Sequence, residues 1–220
     1  MALEEGLHVV TVEAPHGTRC EAVVAAAGGA AGALLLHGYS FRYTVWLNPP
    51  VAQFLRGLGF SVAAPDMPYG RSTSCGRRTR SLETNLAVAD GAVAASGASR
   101  LVLVVGASLG ARYAAYYAAR RPVEALVLSG PAPVREMERM AEAIGEARGR
   151  GLRRVLVVVG SRERPGLRAA AERLAQEAGA SLVVVEGAGH VVHRDAPERF
   201  LEVLRGLLAE LGYPVEGGGV

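Results

Sequence analysis

A serine stands where a strand pattern gives way to a helix pattern, in the stretch Gly-Ala-Ser-Leu-Gly at 106–110. The continuous apolar run 101–105 precedes it, and an alanine-rich segment with helical spacing, 111–119, follows it. A turn this sharp pushes the serine side chain outward above the edge of a sheet, and small neighbours let the backbone pass closely. The N-terminus of the following helix favours a developing negative charge. The stretch therefore predicts that Ser108 is the nucleophile of an acyl-transfer reaction.

A serine nucleophile needs a general base, and a histidine follows the last apolar run, 182–185. His190 comes directly after Ala188 and Gly189. A loop beyond the last strand can reach over the sheet edge to a centrally placed serine, and the small residues permit close approach. His190 is therefore the predicted base, and His193, three residues later, is the alternative.

The acid that orients the histidine is expected between the serine and the base, because nucleophiles of this strand-turn-helix kind use the chain order serine, acid, histidine. Glu163 lies in that interval, three residues past the glycine that closes the apolar run 155–159. The three aspartates fit the role less well. Asp66 lies before the nucleophile, Asp90 sits in a helix pattern, and Asp195 is the predicted N-cap of the last helix.

Two alternatives to the acid assignment follow from the same residues. Glu163 is flanked by Arg162 and Arg164, so an exposed ion pair with either arginine is the structural interpretation. Glu136, which follows the preceding strand pattern, is the second candidate for the acid. The position of Glu163 just past a strand favours it as the predicted acid.

The oxyanion of an acyl-transfer intermediate needs two aimed N–H donors, one of them from the residue after the nucleophile. That residue is Leu109. The second donor is expected in the stretch His-Gly-Tyr-Ser at 37–40, which follows the apolar run 33–36. Tyr39 is the predicted donor there. His37 is predicted to hold this loop by hydrogen bonds rather than to act as a base.

The elements that must position these residues follow from the periodicity. Segments 7–13 and 20–26 flank a Pro-His-Gly turn and predict an antiparallel pair. Continuous apolar runs are typical of strands buried on both faces, and they alternate with segments of helical spacing. The apolar runs are 33–36, 60–64, 101–105, 125–128, 155–159 and 182–185. The helical segments are 51–58, 82–95, 111–119, 134–147, 167–178 and 197–211. The pattern predicts an α/β three-layer sandwich with a mostly parallel eight-stranded sheet and helices on both faces.

Length and composition limit the remaining classes. A chain of 220 residues suits one domain, predicted over 1–212, with a flexible tail over 213–220. No apolar run approaches the roughly 20 residues of a membrane span, and the acidic N-terminus is unlike a secretory signal, which indicates a cytoplasmic protein. A net charge of +3 without stacking aromatics beside the arginines argues against nucleic acid. Cys20 and Cys75 are expected to be free thiols.

Taken in this order, the 37–40 loop, the serine turn, the acid and the histidine resemble the α/β-hydrolase superfamily, over about 37–211. The stretch 60–68, followed by Gly70 and Ser72, is similar to the family's segment after its fourth strand, although the loop is one residue shorter and Tyr69 stands where glycine is frequent. Only 129–154 separate the sixth strand from the seventh, so the chain looks like a form without a substantial lid. His37-Gly38, Phe41 and Trp46 give a narrower likeness to the abhydrolase-14 type.

The resemblance and the residues together imply a serine hydrolase that cleaves a small ester or thioester through an acyl-enzyme on Ser108, without metal or cofactor. Phe41, Trp46 and Tyr69 are candidates for the substrate pocket. Two other functions fit the same sequence. One is an acyltransferase, in which a thiol or alcohol such as coenzyme A intercepts the acyl-enzyme, and the other is a catalytically silent binding member of the fold. The sequence does not indicate an oligomeric state.

Overall fold

The strands and helices of the computed structural model, which describes residues 6–28, 30–132 and 134–215, alternate as the apolar pattern predicts. The strands are β1 (His8–Ala14), β2 (Thr18–Ala25), β3 (Ala31–Leu36), β4 (Ser61–Pro65), β5 (Arg100–Ala107), β6 (Ala125–Ser129), β7 (Arg154–Gly160) and β8 (Ser181–Val185). The helices are α1 (Val51–Gly57), α2 (Leu82–Ala95), α3 (Leu109–Ala118), α4 (Met137–Arg148), α5 (Pro165–Glu177), α6 (Val192–Asp195) and α7 (Pro197–Glu210).

The strands form one eight-stranded sheet in the order β1-β2-β4-β3-β5-β6-β7-β8. Strand β2 pairs antiparallel with β1 and with β4. The pairs β3/β4, β5/β6, β6/β7 and β7/β8 are parallel. The predicted α/β class with a mostly parallel sheet is therefore confirmed. The chain divides into two compact units, 6–102 and 103–215 among the described residues.

The first unit contains β1 to β4 with α1 and α2. The residues of β4 are buried throughout, as expected for a strand covered on both faces, whereas Val9 of the edge strand β1 is exposed. Helix α2 begins at a capped N-terminus, because the Ser81 hydroxyl accepts the Thr84 N–H at 3.3 Å.

The two cysteines, expected as free thiols, are joined in a disulfide within this unit. Cys20 lies in β2, and Cys75 lies in the loop after β4, 55 positions later. Beside the disulfide, the Glu21 N–H donates to the Ser74 hydroxyl at 3.0 Å, which fixes the loop against β2. The antiparallel pairing of β2 with β4 brings the loop back to β2, and spacing along the chain carries no sign of it. The expectation of free thiols was therefore wrong.

The second unit contains most of β5, together with β6 to β8 and α3 to α7. The parallel register sets Ala107 of β5 beside Ser129 of β6, and Ser129 beside Val158 of β7. Gly160 at the end of β7 is in register with Val185 at the end of β8. The carboxyl ends of these strands meet at one edge of the sheet, so the loops that follow them are neighbours.

Three local features complete the fold. Between β6 and β7 the described residues form only a 3₁₀ turn, Val134–Glu136, and α4, so no large lid is present there. The N-cap of α7 is Ala196 and not the predicted Asp195, because the short helix α6, which periodicity did not reveal, ends at Asp195. In the described ranges, no helix is both long and apolar enough to cross a membrane.

The predicted tail, 213–220, lies partly outside the described residues, which end at 215. Its first residue is in contact with the unit, since the Tyr213 hydroxyl donates to the Glu124 carboxylate at 2.9 Å. The Arg205 guanidinium donates to the carbonyl of Val215.

Candidate active site

Ser108 occupies the turn between β5 and α3 with an unusual backbone conformation. Its φ of 52° and ψ of −116° lie where a non-glycine residue is strained, and such strain concentrates at functional sites. The Ser108 N–H donates to the Ser129 carbonyl at 2.8 Å, which ties the turn to β6. Gly106 has no room for a side chain, because a Cβ there would lie 2.5 Å from the Gly110 carbonyl. The tight packing of strand against helix thus projects the Ser108 side chain from the turn.

The imidazole of His190 lies between a hydroxyl and a carboxylate. Its Nε2 is 3.1 Å from the Ser108 Oγ, and its Nδ1 is 2.5 Å from the Glu163 Oε2. A carboxylate can only accept, so the contact with Glu163 assigns the ring proton to Nδ1 and leaves Nε2 as an acceptor facing the serine. The structure therefore brings together the three residues predicted from the sequence, Ser108, His190 and Glu163. They are arranged as a nucleophile, a base and an orienting acid.

Glu163 is buried, with a side chain that is 2% exposed, whereas the His190 side chain is 30% exposed. Its Oε1 accepts the backbone N–H of Arg164 at 2.8 Å, and its own N–H donates to the Gly160 carbonyl at 3.1 Å. The carboxylate is thus directed inward by its own loop. This placement differs from the surface ion pair that the flanking arginines suggested.

The loops of the acid and of the base are joined by hydrogen bonds. The Ser161 hydroxyl donates to the Glu186 carboxylate at 3.0 Å and accepts the Gly187 N–H at 2.9 Å. The Arg162 N–H donates to the Ala188 carbonyl at 2.9 Å. These bonds fix the spacing between the two loops that carry Glu163 and His190.

Two further residues hold the histidine, and sequence reasoning missed both. The Asp195 carboxylate accepts the Gly189 N–H at 2.8 Å, one residue before His190. Gly130 has a φ of +53°, and a Cβ there would lie 2.7 Å from the His190 carbonyl. A glycine two residues after the end of the strand pattern 125–128 was the available signal for a close backbone approach.

His193, the alternative base, is in the core. Its side chain is 1% exposed and its ring lies 5.7 Å from that of Phe200, centroid to centroid. Burial, with the positive charge of Arg194 as a further cause, lowers the pKa of His193 from 6.5 to about 3. A histidine that stays neutral and buried in this way does not exchange protons with Ser108, and we expect its replacement to affect turnover only mildly.

The buried state of His193 predicts how stability depends on pH. The folded-state pKa of about 3 lies below the ordinary 6.5. Between pH 3 and pH 6.5, His193 therefore binds a proton in the unfolded chain but not in the folded chain. The free energy of unfolding must therefore fall as the pH drops from 6.5 towards 3. We expect His193→Gln to reduce this fall between about pH 7 and pH 4 by the order of a few kcal/mol, measured by urea unfolding. His8→Gln, at an exposed site, is the control, and equal pH slopes in the two variants would contradict the assignment.

Glu136, the alternative acid, has another partner. Its Oε2 lies 2.6 Å from the Nε of Arg112, on α3. The structure places it in this ion pair, while Glu163 is the carboxylate in contact with His190.

The two predicted oxyanion donors, Leu109 and Tyr39, belong to different units. Leu109 is the first residue of α3, and an N–H in the first turn of a helix has no acceptor within the helix. Tyr39 lies in the loop after β3, where its carbonyl accepts the Arg71 N–H at 2.7 Å. Its hydroxyl accepts from the Arg78 guanidinium at 3.1 Å. The convergence of both N–H groups on one oxygen stays a prediction.

His37 is fully buried and holds the loop that carries Tyr39, as expected. Its Nε2 accepts the Met67 N–H at 2.8 Å, so the ring proton is on Nδ1, which donates to the Gly38 carbonyl at 2.8 Å. The Tyr69 hydroxyl donates to the His37 carbonyl at 2.5 Å.

The pocket candidates differ in exposure. Trp46 and Tyr69 are both 0% exposed, so they pack in the core of their unit, and neither offers a surface to a substrate in this conformation. Phe41 is partly exposed, and its N–H donates to the Gly38 carbonyl at 3.1 Å. Of the three, Phe41 alone keeps exposure that fits a pocket wall.

In the described part of the chain, no three His, Cys, Asp or Glu side chains come together as a metal site would need.

Comparisons with known proteins bear on the family and the fold of the chain. The sequence model of the alpha/beta hydrolase family matches residues 33–154. No curated protein matches the chain. Among solved structures, the chain is similar to a hydrolase from Thermoplasma acidophilum described as CIB-like, with 22% identity and a TM-score of 0.76 over 93% of this chain and 98% of that one. It is also similar to an esterase from Pyrococcus furiosus, with 17% identity and a TM-score of 0.71 over 93% and 92% of the two chains. A carboxylesterase from Bacillus subtilis matches with 18% identity and a TM-score of 0.67 over 93% and 92%.

Proposed function

Because the chain belongs to the alpha/beta hydrolase family, we propose that it is a serine hydrolase that cleaves carboxylic esters or thioesters through an acyl-enzyme on Ser108. The observation that carries the proposal is the continuous contact from Glu163 through His190 to the Ser108 hydroxyl. The similarity to an esterase and to a carboxylesterase supports a carboxylic ester as the substrate class.

The first half of the proposed cycle forms the acyl-enzyme. His190 Nε2 takes the proton of the Ser108 hydroxyl as its Oγ attacks the carbonyl carbon of the ester. The ring then carries a positive charge, which the Glu163 carboxylate stabilises through its contact with Nδ1. The N–H of Leu109, with that of Tyr39 as the predicted partner, donates to the oxygen that becomes negative. Collapse of the tetrahedral intermediate releases the alcohol or thiol, which takes the proton from His190.

The second half returns the enzyme to its starting state. His190 takes a proton from a water molecule, and the resulting hydroxide attacks the acyl carbonyl. The intermediate expels the Ser108 oxygen, which regains its proton from the imidazolium, and a carboxylic acid leaves. The partial exposure of His190 gives its ring access to water. The burial of Glu163 shields its carboxylate from water, and its Oε2 contacts the ring.

An activity-based probe tests the proposal directly. We expect a fluorophosphonate to label the wild-type protein covalently at Ser108 and not to label Ser108→Ala. Hydrolysis of 4-nitrophenyl acetate and of an acetyl thioester should follow the labelling. A folded wild-type protein that is neither labelled nor active on either compound would overturn the proposal in favour of a silent binding member of the fold.

A further inference from the structure

A cleft of about 760 Å³ lies within the first unit, and none of its lining residues has a catalytic role in the proposed hydrolysis. The turn between β1 and β2 forms one wall, and the loop after β4 with the start of α2 forms the other. Arg19 and Arg77 line it, together with several hydroxyl residues, which include Ser74, Thr79 and Ser81. No Asp or Glu is among its lining residues. The loop after β4 carries four arginines, at positions 71, 77, 78 and 80. Arg77 has no part in the proposed hydrolysis.

The two arginines of the cleft are accessible to a ligand. The guanidinium of Arg77 is exposed and has no hydrogen-bond or ion-pair partner within residues 6–28, 30–132 and 134–215. Arg19 lies 3.4 Å from Glu13, but both side chains are mostly exposed, at 69% and 74%. An exposed ion pair contributes little, so a ligand can displace Glu13 at small cost.

The hydroxyls add donors to these positive charges. Each oxygen accepts a backbone N–H: Ser74 from Glu21, Thr79 from Ser81 and Ser81 from Thr84. The Ser74 hydroxyl also donates to the buried Asp66 carboxylate. The hydroxyls of Thr79 and Ser81 donate no hydrogen bond within the described part of the chain. The O–H groups of Thr79 and Ser81 therefore remain available to a ligand as donors beside the two arginines.

The two walls are fixed to each other. The disulfide joins Cys20, next to Arg19, to Cys75, two residues before Arg77, with 4.2 Å between the cysteine Cα atoms. Ser74 strengthens the link, since its N–H donates to the Asp66 carboxylate at 2.7 Å while its hydroxyl holds Glu21. The backbones that carry the two arginines are therefore held in place before any ligand binds, which lowers the entropic cost of binding.

We propose that this cleft is a second binding site, for a small molecule that carries a phosphate group. A phosphate presents several charged oxygens to donors on different walls, and arginine binds them with paired N–H groups. The volume falls in the range of roughly 300–1,000 Å³ found for small-molecule sites and exceeds what a bare phosphate ion fills. The site requires no part of the Ser108 chemistry.

Isothermal titration calorimetry with inorganic phosphate, adenosine 5′-monophosphate and adenosine tests the proposal. We expect the monophosphate to bind and adenosine not to bind, with affinity that falls as salt rises. Arg77→Gln should weaken binding about tenfold or more, as the loss of a charge-assisted contact does, and Arg77→Lys should weaken it less. Arg173→Gln removes the same charge from an exposed position on α5 and should leave binding unchanged.

The outcomes separate the site from general charge attraction. Equal losses in Arg77→Gln and Arg173→Gln, or binding of neither phosphate compound at millimolar concentration, would overturn the proposal. Equal affinity for phosphate and the monophosphate would identify the ion itself as the group recognised and so support the site.

Reduction of the disulfide should weaken binding while circular dichroism shows the fold retained. Fluorophosphonate labelling of Ser108 should be the same in wild type and Arg77→Gln.

Discussion

Ser108→Ala is expected to fold as the wild type does and to lose ester hydrolysis by roughly 10⁵- to 10⁶-fold. The substitution removes the oxygen that forms the acyl-enzyme and leaves the turn intact, because Cβ is retained at the same φ of 52°. Steady-state turnover of 4-nitrophenyl acetate measures the activity, and thermal unfolding by circular dichroism measures the fold. Near-normal turnover would remove Ser108 from the reaction.

Ser108→Gly serves as the matched control for strain. Glycine adopts a positive φ without steric cost, so this variant should unfold at the same or a higher temperature than wild type, while its activity matches that of Ser108→Ala. His190→Ala should lose activity to a similar extent. The double variant Ser108→Ala/His190→Ala should lose little more, because the nucleophile and the base act as a unit. Additive losses would mean that the two residues work in separate steps.

The sequence predicted the strands well where a strand is buried on both faces, because such burial sets the pattern of apolar residues. Parallel strands covered on both faces read as continuous apolar runs, and the run 101–105 lies within β5. The serine turn could be predicted because the residues that shape it are adjacent in sequence. A small residue is needed at Gly106 for β5 and α3 to pass closely. The final pairing of Glu163 with His190 followed from position in the chain, since the carboxyl ends of parallel strands share one edge of the sheet.

What the sequence did not predict depends on contacts between distant segments. The disulfide forms because β2 pairs with β4, a long-range event with no local signal. Asp195 fits a helix cap by sequence, but its carboxylate accepts the Gly189 N–H across the base loop. Trp46 and Tyr69 were predicted as pocket candidates, whereas their burial follows from packing that periodicity cannot resolve.

The cytoplasmic location stays a prediction. Disulfides persist mainly in oxidising compartments or in the cytoplasm of hyperthermophiles, so the bond between Cys20 and Cys75 bears on that prediction more strongly than composition does. The likeness to the abhydrolase-14 type likewise stays a prediction, since the family match is to the alpha/beta hydrolases at large.

Glu163→Gln is the second large effect that we expect, a fall in turnover of about 10³- to 10⁴-fold with little change in KM. The carboxylate touches the imidazole and not the substrate, so its loss acts on the chemical step. Glutamine keeps the shape, but its amide can donate to Nδ1 and so favour the tautomer with the proton on Nε2, the nitrogen that must accept from Ser108. It also removes the negative charge that stabilises the imidazolium. The measurement is kcat and KM on 4-nitrophenyl acetate, with circular dichroism to show that the fold is unchanged.

Two matched variants separate this role from general loss of charge. Glu136→Gln removes a carboxylate that pairs with Arg112 and should leave turnover within a few-fold of wild type. Glu163→Asp keeps the charge but shortens the side chain by one methylene, so the 2.5 Å contact with Nδ1 is lost unless the loop moves. Its turnover should fall between that of wild type and that of Glu163→Gln. If Glu163→Gln were nearly as active as wild type while Glu136→Gln was not, Ser108 and His190 would keep their roles and the acid would be Glu136.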